Sequence, residues 1–105
     1  MNAVITIKVD GTKSVESVET IDRDFLQGAV SGYIEAVNLP PYEATMYVNE
    51  EGLIRGLHIN ALASEIAGQL LVGDVVIVGP TNENGEDTGL SDEQIASLLL
   101  DLPHQ

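Results

Sequence analysis

The hydrophobic positions of this chain form one predominantly apolar segment and several short alternating runs. The most apolar segment covers residues 70–78, reads LLVGDVVIV and is closed by Gly79 and Pro80. A short run of Val and Ile that ends in Gly-Pro is typical of a strand buried on both faces. We therefore predict that residues 70–78 form the central strand and that the rest of the chain packs around it.

Alternation of apolar and polar residues predicts the other strands over residues 3–9, 14–20, 32–39, 44–49 and 53–57. Asp10-Gly11 is a turn signal between the first two strands, which indicates an opening hairpin. Pro40-Pro41 ends the third strand. An antiparallel meander accounts for this succession of strands and turns.

Three N-cap signals predict helices. Asp22 caps a short helix, Asn60 caps a second that stops at Gly68, and Ser91 opens the last helix with the capping-box sequence SDEQ. Residues at helical spacing in the last helix form an apolar stripe that consists of Ile95, Leu98, Leu99 and Leu102. We expect this stripe to dock on the sheet, with Leu100 off the stripe and either exposed or in a subunit contact.

These elements predict a single α+β domain over residues 1–105, with a mostly antiparallel sheet of about five strands covered by two or three short helices. A chain of 105 residues, 44 % of them hydrophobic, supplies one core and is too short for two. A small sheet covered on only one face leaves the other face in need of a partner. From this we predict a homodimer.

Net charge is the strongest compositional feature of this chain. The chain has 17 acidic and 4 basic residues, a net charge of −13, and its second half (56–105) contains eight acids and neither Lys nor Arg. Such a surface repels nucleic acid and anionic membranes, and it attracts cations or basic protein surfaces. The acidity serves either a basic partner or solubility alone.

Composition also excludes several classes of site and location. Without cysteine the chain has no disulfides, thiolate metal sites or cysteine nucleophiles. No apolar run approaches the roughly 18 residues of a membrane span, and the N-terminus lacks the pattern of a signal peptide. We expect a soluble, cytoplasmic protein.

Four segments resemble, in their order and spacing, a family of small proteins found mostly in bacteriophages and other mobile elements. They are GYIE at 32–35, NEEGLIRGLHIN at 49–60, GDVVIVG at 73–79 and LSDEQ at 90–94, and the resemblance covers about residues 25–100. This family has no established activity, so the resemblance implies a phage accessory gene that acts in the host cytoplasm, and no mechanism. Asn49, Glu50 and Asn60 are a candidate family-motif site, although Asn side chains also cap turns and helices.

Candidate catalytic and metal-binding chemistry is sparse. The polar loop after the central strand partly resembles an EF-hand loop, but Pro80 and Ser91 stand where the calcium-binding carboxylates belong. His58 and His104 lack the partners of a zinc or hydrolytic site, and the glycines of 52–56 lack the ending of a phosphate loop. We predict no cofactor, no metal and no enzymatic activity.

Two functions of different classes fit the sequence. The first is a non-enzymatic protein whose acidic surface covers a basic surface of a host protein, as a counter-defence inhibitor or a DNA mimic does. Its predicted partner-binding residues are Glu83, Glu86, Asp87, Asp92 and Glu93. They join the last helix to the loop 81–89, which we expect to be mobile because no apolar residue anchors it. The alternative is a homo-oligomer that binds or sequesters a small molecule.

Overall fold

A five-stranded antiparallel sheet and three α-helices make up the protein, and the computed structural model describes residues 1–102 of it. The strands are β1 (Asn2–Ile7), β2 (Lys13–Val18), β3 (Ile34–Leu39), β4 (Ala44–Asn49) and β5 (Val75–Val78). The helices are α1 (Arg23–Val30), α2 (Ala61–Ala67) and α3 (Asp92–Asp101). The predicted α+β class and strand number are confirmed. Pro103, which we expect to end the last helix because proline cannot continue one, and His104 lie outside the described residues.

The strand order is β2-β1-β5-β4-β3, so β5 is inserted between two hairpins. Ile77 at its middle pairs with Ile5 of β1 on one side and Met46 of β4 on the other. All four β5 residues are buried, which confirms the predicted central strand. The strand is shorter than predicted, because residues 70–74 turn at Gly73, whose φ is +82°.

Side chains of β5 alternate between two covered faces of the sheet. Val75 and Ile77 lie in a core shared with α2 and α3, whereas Val76 and Val78 lie in a second core shared with α1. The expectation that only one face is covered is therefore wrong. The predicted homodimer consequently needs a different physical basis.

All three predicted N-caps are confirmed. Asp22 and Asn60 accept from the backbone N–H three residues later, at 2.8 and 3.1 Å. Ser91 and Gln94 form the full reciprocal capping box, with distances of 3.1 and 2.8 Å. Each cap satisfies N–H groups that the helix itself leaves without a partner.

The apolar stripe of α3 docks on the sheet as predicted. Leu98 and Leu102 are fully buried, and Ile95 and Leu99 pack against the same core. Leu100 is 81 % exposed, in agreement with its position off the stripe. The pattern of this helix therefore identifies its buried face correctly.

The predicted strand at 53–57 is wrong, because this segment folds into successive turns. Backbone N–H groups of residues 55–57 donate to carbonyls three to five residues earlier, at 2.8 to 3.2 Å. Gly56 adopts a φ of +70°, which a regular strand does not use. Because the segment is not part of the sheet, the side chains of Leu53 and Ile54 do not pack in the core and are 75 % and 89 % exposed.

Antiparallel pairing sorts the connecting segments into two ends of the sheet. At one end, where β5 terminates, most of the acidic residues gather, and we call it the acidic end. Its connections are residues 19–22, 40–43 and 79–91. The connections at the opposite end are residues 8–12, 31–33, 50–60 and 68–74. Helix α1 runs from the acidic end to the opposite end, and α3 begins at the acidic end.

Candidate functional site

Charge is strongly polarised between the two ends of the sheet. The acidic end holds nine carboxylates and one base, Arg23. The nine are Glu19, Asp22, Asp24, Glu43, Glu83, Glu86, Asp87, Asp92 and Glu93. The opposite end has four carboxylates and three bases: Asp10, Glu50, Glu51, Asp74, Lys8, Lys13 and Arg55. The acidic end is therefore the strongest electrostatic feature of the described chain.

All five predicted partner-binding carboxylates lie at the acidic end, in two groups. Glu83 and Glu86 are exposed on the loop, whereas Asp87 is half-buried beside the sheet. Asp92 and Glu93 are exposed in the first turn of α3. The loop reaches the α1 face of the sheet, and α3 packs on the other face. The two groups thus flank the end of the sheet from opposite sides.

The loop that carries the first group is a hydrogen-bonded hairpin. The Asn82 side chain accepts from the N–H groups of Asn84 and Glu86, at 2.9 and 3.0 Å, and the Asn82 N–H donates to the Glu86 carbonyl at 2.8 Å. A bridge pairs Thr81 with Asp87. Polar hydrogen bonds, rather than an apolar anchor, therefore give this loop its shape, and its mobility stays a prediction.

Tyr47, which sequence reasoning did not single out, attaches this hairpin to the sheet. Its hydroxyl donates to both carboxylate oxygens of Asp87, at 2.8 and 3.0 Å. Burial and the neighbouring Asp87 raise the pKa of Tyr47 to about 12. The hydroxyl therefore keeps its proton at neutral pH and makes a charge-assisted bond to the carboxylate.

Two glycines allow the base of the hairpin to pack against its neighbours. A Cβ atom at Gly79 would overlap the Gly89 carbonyl oxygen, and one at Gly89 would lie 2.9 Å from the Ala3 nitrogen. The next residue, Leu90, donates its N–H to the Ala3 carbonyl at 2.8 Å. The hairpin is thereby tied to β1, and its carboxylates are held near the end of the sheet.

Beneath the hairpin lies a polar cleft of about 640 Å³. Its walls are the end of β2, the start of α1 and the hairpin itself. The charged residues that line it are Glu19, Asp22, Arg23, Glu86 and Asp87. A solvent-open cleft with four carboxylates and one guanidinium is electrostatically suited to a cationic group.

Asn60, a candidate family-motif residue, has a structural position at the opposite end. Its side chain is 1 % exposed, and its Nδ2 donates to the carbonyls of Ile7 and Gly73, at 3.0 and 2.9 Å. Its Oδ1 caps α2 through the Ala63 N–H. This residue joins β1, the turn before β5 and α2, and the capping alternative is confirmed for it.

Asn49 is also buried at the opposite end, next to the third candidate motif residue, Glu50. The Asn49 Nδ2 donates to the Val30 carbonyl at 3.0 Å, and its Oδ1 accepts from the Glu51 N–H at 2.8 Å. Glu50 is exposed in the following turn. The motif residues and the acidic group therefore occupy different ends of the molecule.

The described residues present little catalytic chemistry. His58 is exposed in the connection 50–60 at the opposite end. Within residues 1–102, no group of three or more His, Asp or Glu is placed to hold a metal ion. Every buried side-chain nitrogen and oxygen of that range has a hydrogen-bond partner. None of the described helices is long and apolar enough to cross a membrane.

Sequence reasoning missed the carboxylates that other connections bring to the acidic end, such as Glu19 and Glu43. Antiparallel pairing within each pair of neighbouring strands already predicts at which end of that pair Glu19 or Glu43 lies. The hydrophobic pattern does not predict the order of the strands in the sheet. Only the insertion of β5 between the hairpins brings residues 19–22 and 40–43 to the same end as residues 79–91.

A family model described as a domain of unknown function, DUF3846, matches residues 1–103. The chain belongs to the DUF3846 family. The DUF3846 match includes the whole sheet, all three helices and both ends of the molecule. No curated protein and no solved structure matches the chain. Membership of DUF3846 confirms that the chain belongs to a family of unknown function, and an origin in phages or mobile elements stays a prediction.

Proposed function

We propose that this DUF3846 protein is a non-enzymatic accessory protein of a phage or another mobile element, which binds a basic surface of a host protein in the host cytoplasm. The observation that carries the proposal is the gathering of nine carboxylates and a single base at one end. Solubility alone requires net charge and does not require this polarisation. A one-sided charge distribution instead steers and orients a partner of opposite charge.

The number of carboxylates supports a DNA-mimic form of this function. A DNA duplex carries one phosphate charge per about 1.7 Å of helix axis, so one side of a segment about 30 Å long presents about nine phosphates. The nine carboxylates of the acidic end therefore approach the charge that a DNA-binding protein meets on one side of a duplex.

The cleft beneath the hairpin gives the partner a specific place to dock. A Lys or Arg side chain of the host protein that enters it meets Glu19, Glu86 and Asp87. Because Tyr47 holds Asp87 in place, this carboxylate needs little reordering before it binds. The exposed Asp92 and Glu93 then supply longer-range attraction from the other face of the sheet.

The test is affinity capture from host lysate at about 50 mM and about 200 mM salt, with mass spectrometry of the bound proteins. The bait variant is E83Q/E86Q/D92N/E93Q, which neutralises the exposed part of the predicted site and leaves Asp87 with Tyr47. Its matched control, E35Q/E50Q/E51Q/E65Q, neutralises the same number of exposed carboxylates away from the acidic end.

We expect a basic protein that the wild type and the control retain and the acidic-end variant loses, with weaker retention at the higher salt. Elution of that protein by a short DNA duplex identifies the DNA-mimic form. Equal capture by both variants would overturn the proposal, because the position of the charge would then be irrelevant.

A further inference from the structure

Exposed apolar side chains gather at the end of the sheet that lies away from the acidic residues. Leu53 and Ile54 in the turn after β4 are 75 % and 89 % exposed, and Leu70 before β5 is 64 % exposed. We call these three residues the apolar patch. The connections of the same end also expose Tyr33 and Ile59, which are 62 % and 60 % accessible.

The apolar patch borders a groove of about 380 Å³ that reaches into the core on the α2 and α3 face. Between the patch residues, the groove exposes parts of Val37 on the edge strand β3 and of Leu71 and Val72 before β5. Contiguous apolar surface of this kind is typical of an interaction site. Its occupant must be apolar and must tolerate the charge of its surroundings.

Charge restricts where a second copy of this chain can bind. Each copy carries a net charge of −13, so two copies repel each other in any approach that brings the acidic ends together. The opposite end is the exception, because its connections carry four carboxylates and three bases. Its groove is lined by Glu35 and Glu50, and the turn that holds Leu53 and Ile54 also exposes Arg55. The turn of one copy therefore offers the groove of another both apolar side chains and a charge of opposite sign. A basic partner is drawn more strongly to the acidic end, where nine carboxylates face one base.

We infer that the protein forms a homodimer through this patch, with the two copies related by a two-fold axis at the opposite ends of their sheets. In such an isologous interface the Leu53-Ile54 turn of each copy packs into the groove of the other. The two acidic ends then point away from each other, at the greatest separation that the dimer allows. The particle would present two separate acidic surfaces and no apolar patch.

Light scattering coupled to size exclusion tests this inference on the full chain. The test variants are I54E and L70E, which place a carboxylate in the patch on two different segments. The matched control is L100E, because Leu100 on α3 is 81 % exposed and lies outside the patch. Far-ultraviolet circular dichroism and thermal melting show that all variants fold.

We expect twice the 11.2 kDa chain mass for the wild type and L100E, and the single-chain mass for I54E and L70E. Added salt should favour the dimer, because it screens the repulsion between copies. A wild-type monomer at micromolar concentration would overturn the inference and leave the patch to another protein. Dimeric I54E and L70E would overturn it as well, since the interface would lie elsewhere.

This outcome is separable from that of the proposed function. The variant E83Q/E86Q/D92N/E93Q should remain dimeric while it loses the basic partner. Salt acts in opposite directions on the two complexes, since it weakens attraction between unlike charges and relieves repulsion between like ones. A dimer without a basic partner therefore rejects only the proposed function, and a partner-binding monomer rejects only the dimer.

Discussion

Asn60 and Asn49 satisfy buried backbone groups at the places where the chain turns back at the opposite end. The Asn60 amide nitrogen donates to two carbonyls of different segments, and its oxygen accepts from a helix N–H. The three bonds therefore require both the donor and the acceptor of the amide. No apolar residue and no carboxylate reproduces both the donors and the acceptor. The sequence predicts the cap from an Asn before a helical run, but the two carbonyl partners depend on tertiary contacts that no local pattern contains.

Replacement of Asn60 by Asp separates these functions. The carboxylate of N60D still caps α2, but it turns an acceptor toward the buried carbonyls of Ile7 and Gly73. We expect N60D and N60A each to lower the free energy of unfolding by about 3 kcal/mol, as measured by urea denaturation. N38A on the exposed side of β3 is the control and should stay within about 0.5 kcal/mol. Wild-type stability of N60D would show that the two donated bonds contribute nothing.

Tyr47 and Tyr42 predict a loss of stability in alkali. Burial and Asp87 raise the pKa of Tyr47 to about 12, and a hydrogen bond to Asp101 with partial burial raises the pKa of Tyr42 to about 12. Below pH 10 both hydroxyls are protonated in the folded and unfolded chain, so their contribution is complete. Between about pH 10 and 12 only the unfolded chain ionises, hence unfolding releases protons and stability falls as pH rises.

The variant Y47F checks the assignment. It lacks the bond to Asp87, so it should be less stable than the wild type at neutral pH, and its stability should fall less steeply across the same alkaline window. Urea midpoints at several pH values measure both effects. Parallel pH profiles of Y47F and the wild type would contradict the link between this hydroxyl and the hairpin.

At the scale of elements, the sequence predicted the type and order of every helix and of all five strands. It failed at 53–57, where an apolar stretch that contains Gly56 resembled a strand but folds into turns. It also extended β5 too far back, since LLVGDVVIV is mostly apolar but is broken by the positive φ of Gly73. In both cases a glycine conformation overrode the apolar pattern.

The stripe of α3 predicts a sharp contrast between two neighbouring leucines. Leu98 is fully buried against the sheet, whereas Leu100 is 81 % exposed. We expect L98A to cost about 2 to 5 kcal/mol in the free energy of unfolding, because it opens a cavity in the core. L100A should cost less than about 0.5 kcal/mol. Similar losses from both variants in chemical denaturation would remove α3 from its assigned packing.

Replacement of two glycines by alanine should change the stability of the fold in opposite directions. At Gly89 an added methyl group meets the backbone of Asn2 and Ala3, so G89A should destabilise by about 1 to 3 kcal/mol and displace the hairpin. Gly28 lies inside α1 with open space around its Cβ position, so G28A should stabilise by about 0.5 to 1 kcal/mol. Thermal melts of the two variants measure this contrast, and a stabilising G89A would show that the hairpin is not in close contact with β1.

At the scale of the whole molecule, the two ends of the sheet have opposite surface chemistry. The composition predicted the large negative net charge. The sequence of the loop and of the last helix predicted five of the nine carboxylates at the acidic end. Neither the polarisation nor the exposed apolar groups of the opposite end could be predicted, because both arise from the strand order β2-β1-β5-β4-β3. Local patterns determine the strands, whereas long-range pairing determines which connections become neighbours.

Acidic residues of the two groups should differ in their effect on stability. Glu83 and Glu86 lie among other carboxylates of the acidic end. Since E83Q/E86Q reduces the repulsion between these like charges, it should leave the melting temperature unchanged or raise it. Asp92 and Glu93 lie in the first turn of α3, where each carboxylate stabilises the helix by about 0.3 to 1 kcal/mol. D92N/E93Q should therefore lower the melting temperature at low salt. A rise in both variants would mean that self-repulsion outweighs the helix dipole.

The position of β5 has a consequence for how the chain reaches its native state. Each hairpin is contiguous in sequence and can form early, but the strand that unites them begins at Val75, after both are complete. Until that strand emerges from the ribosome, β1 and β4 each keep an open hydrogen-bonding edge beside apolar side chains. Such edges invite pairing with other chains, so synthesis that stalls before residue 75 leaves an aggregation-prone fragment. We therefore expect the chain to be most prone to aggregation during its translation, before β5 has been synthesised.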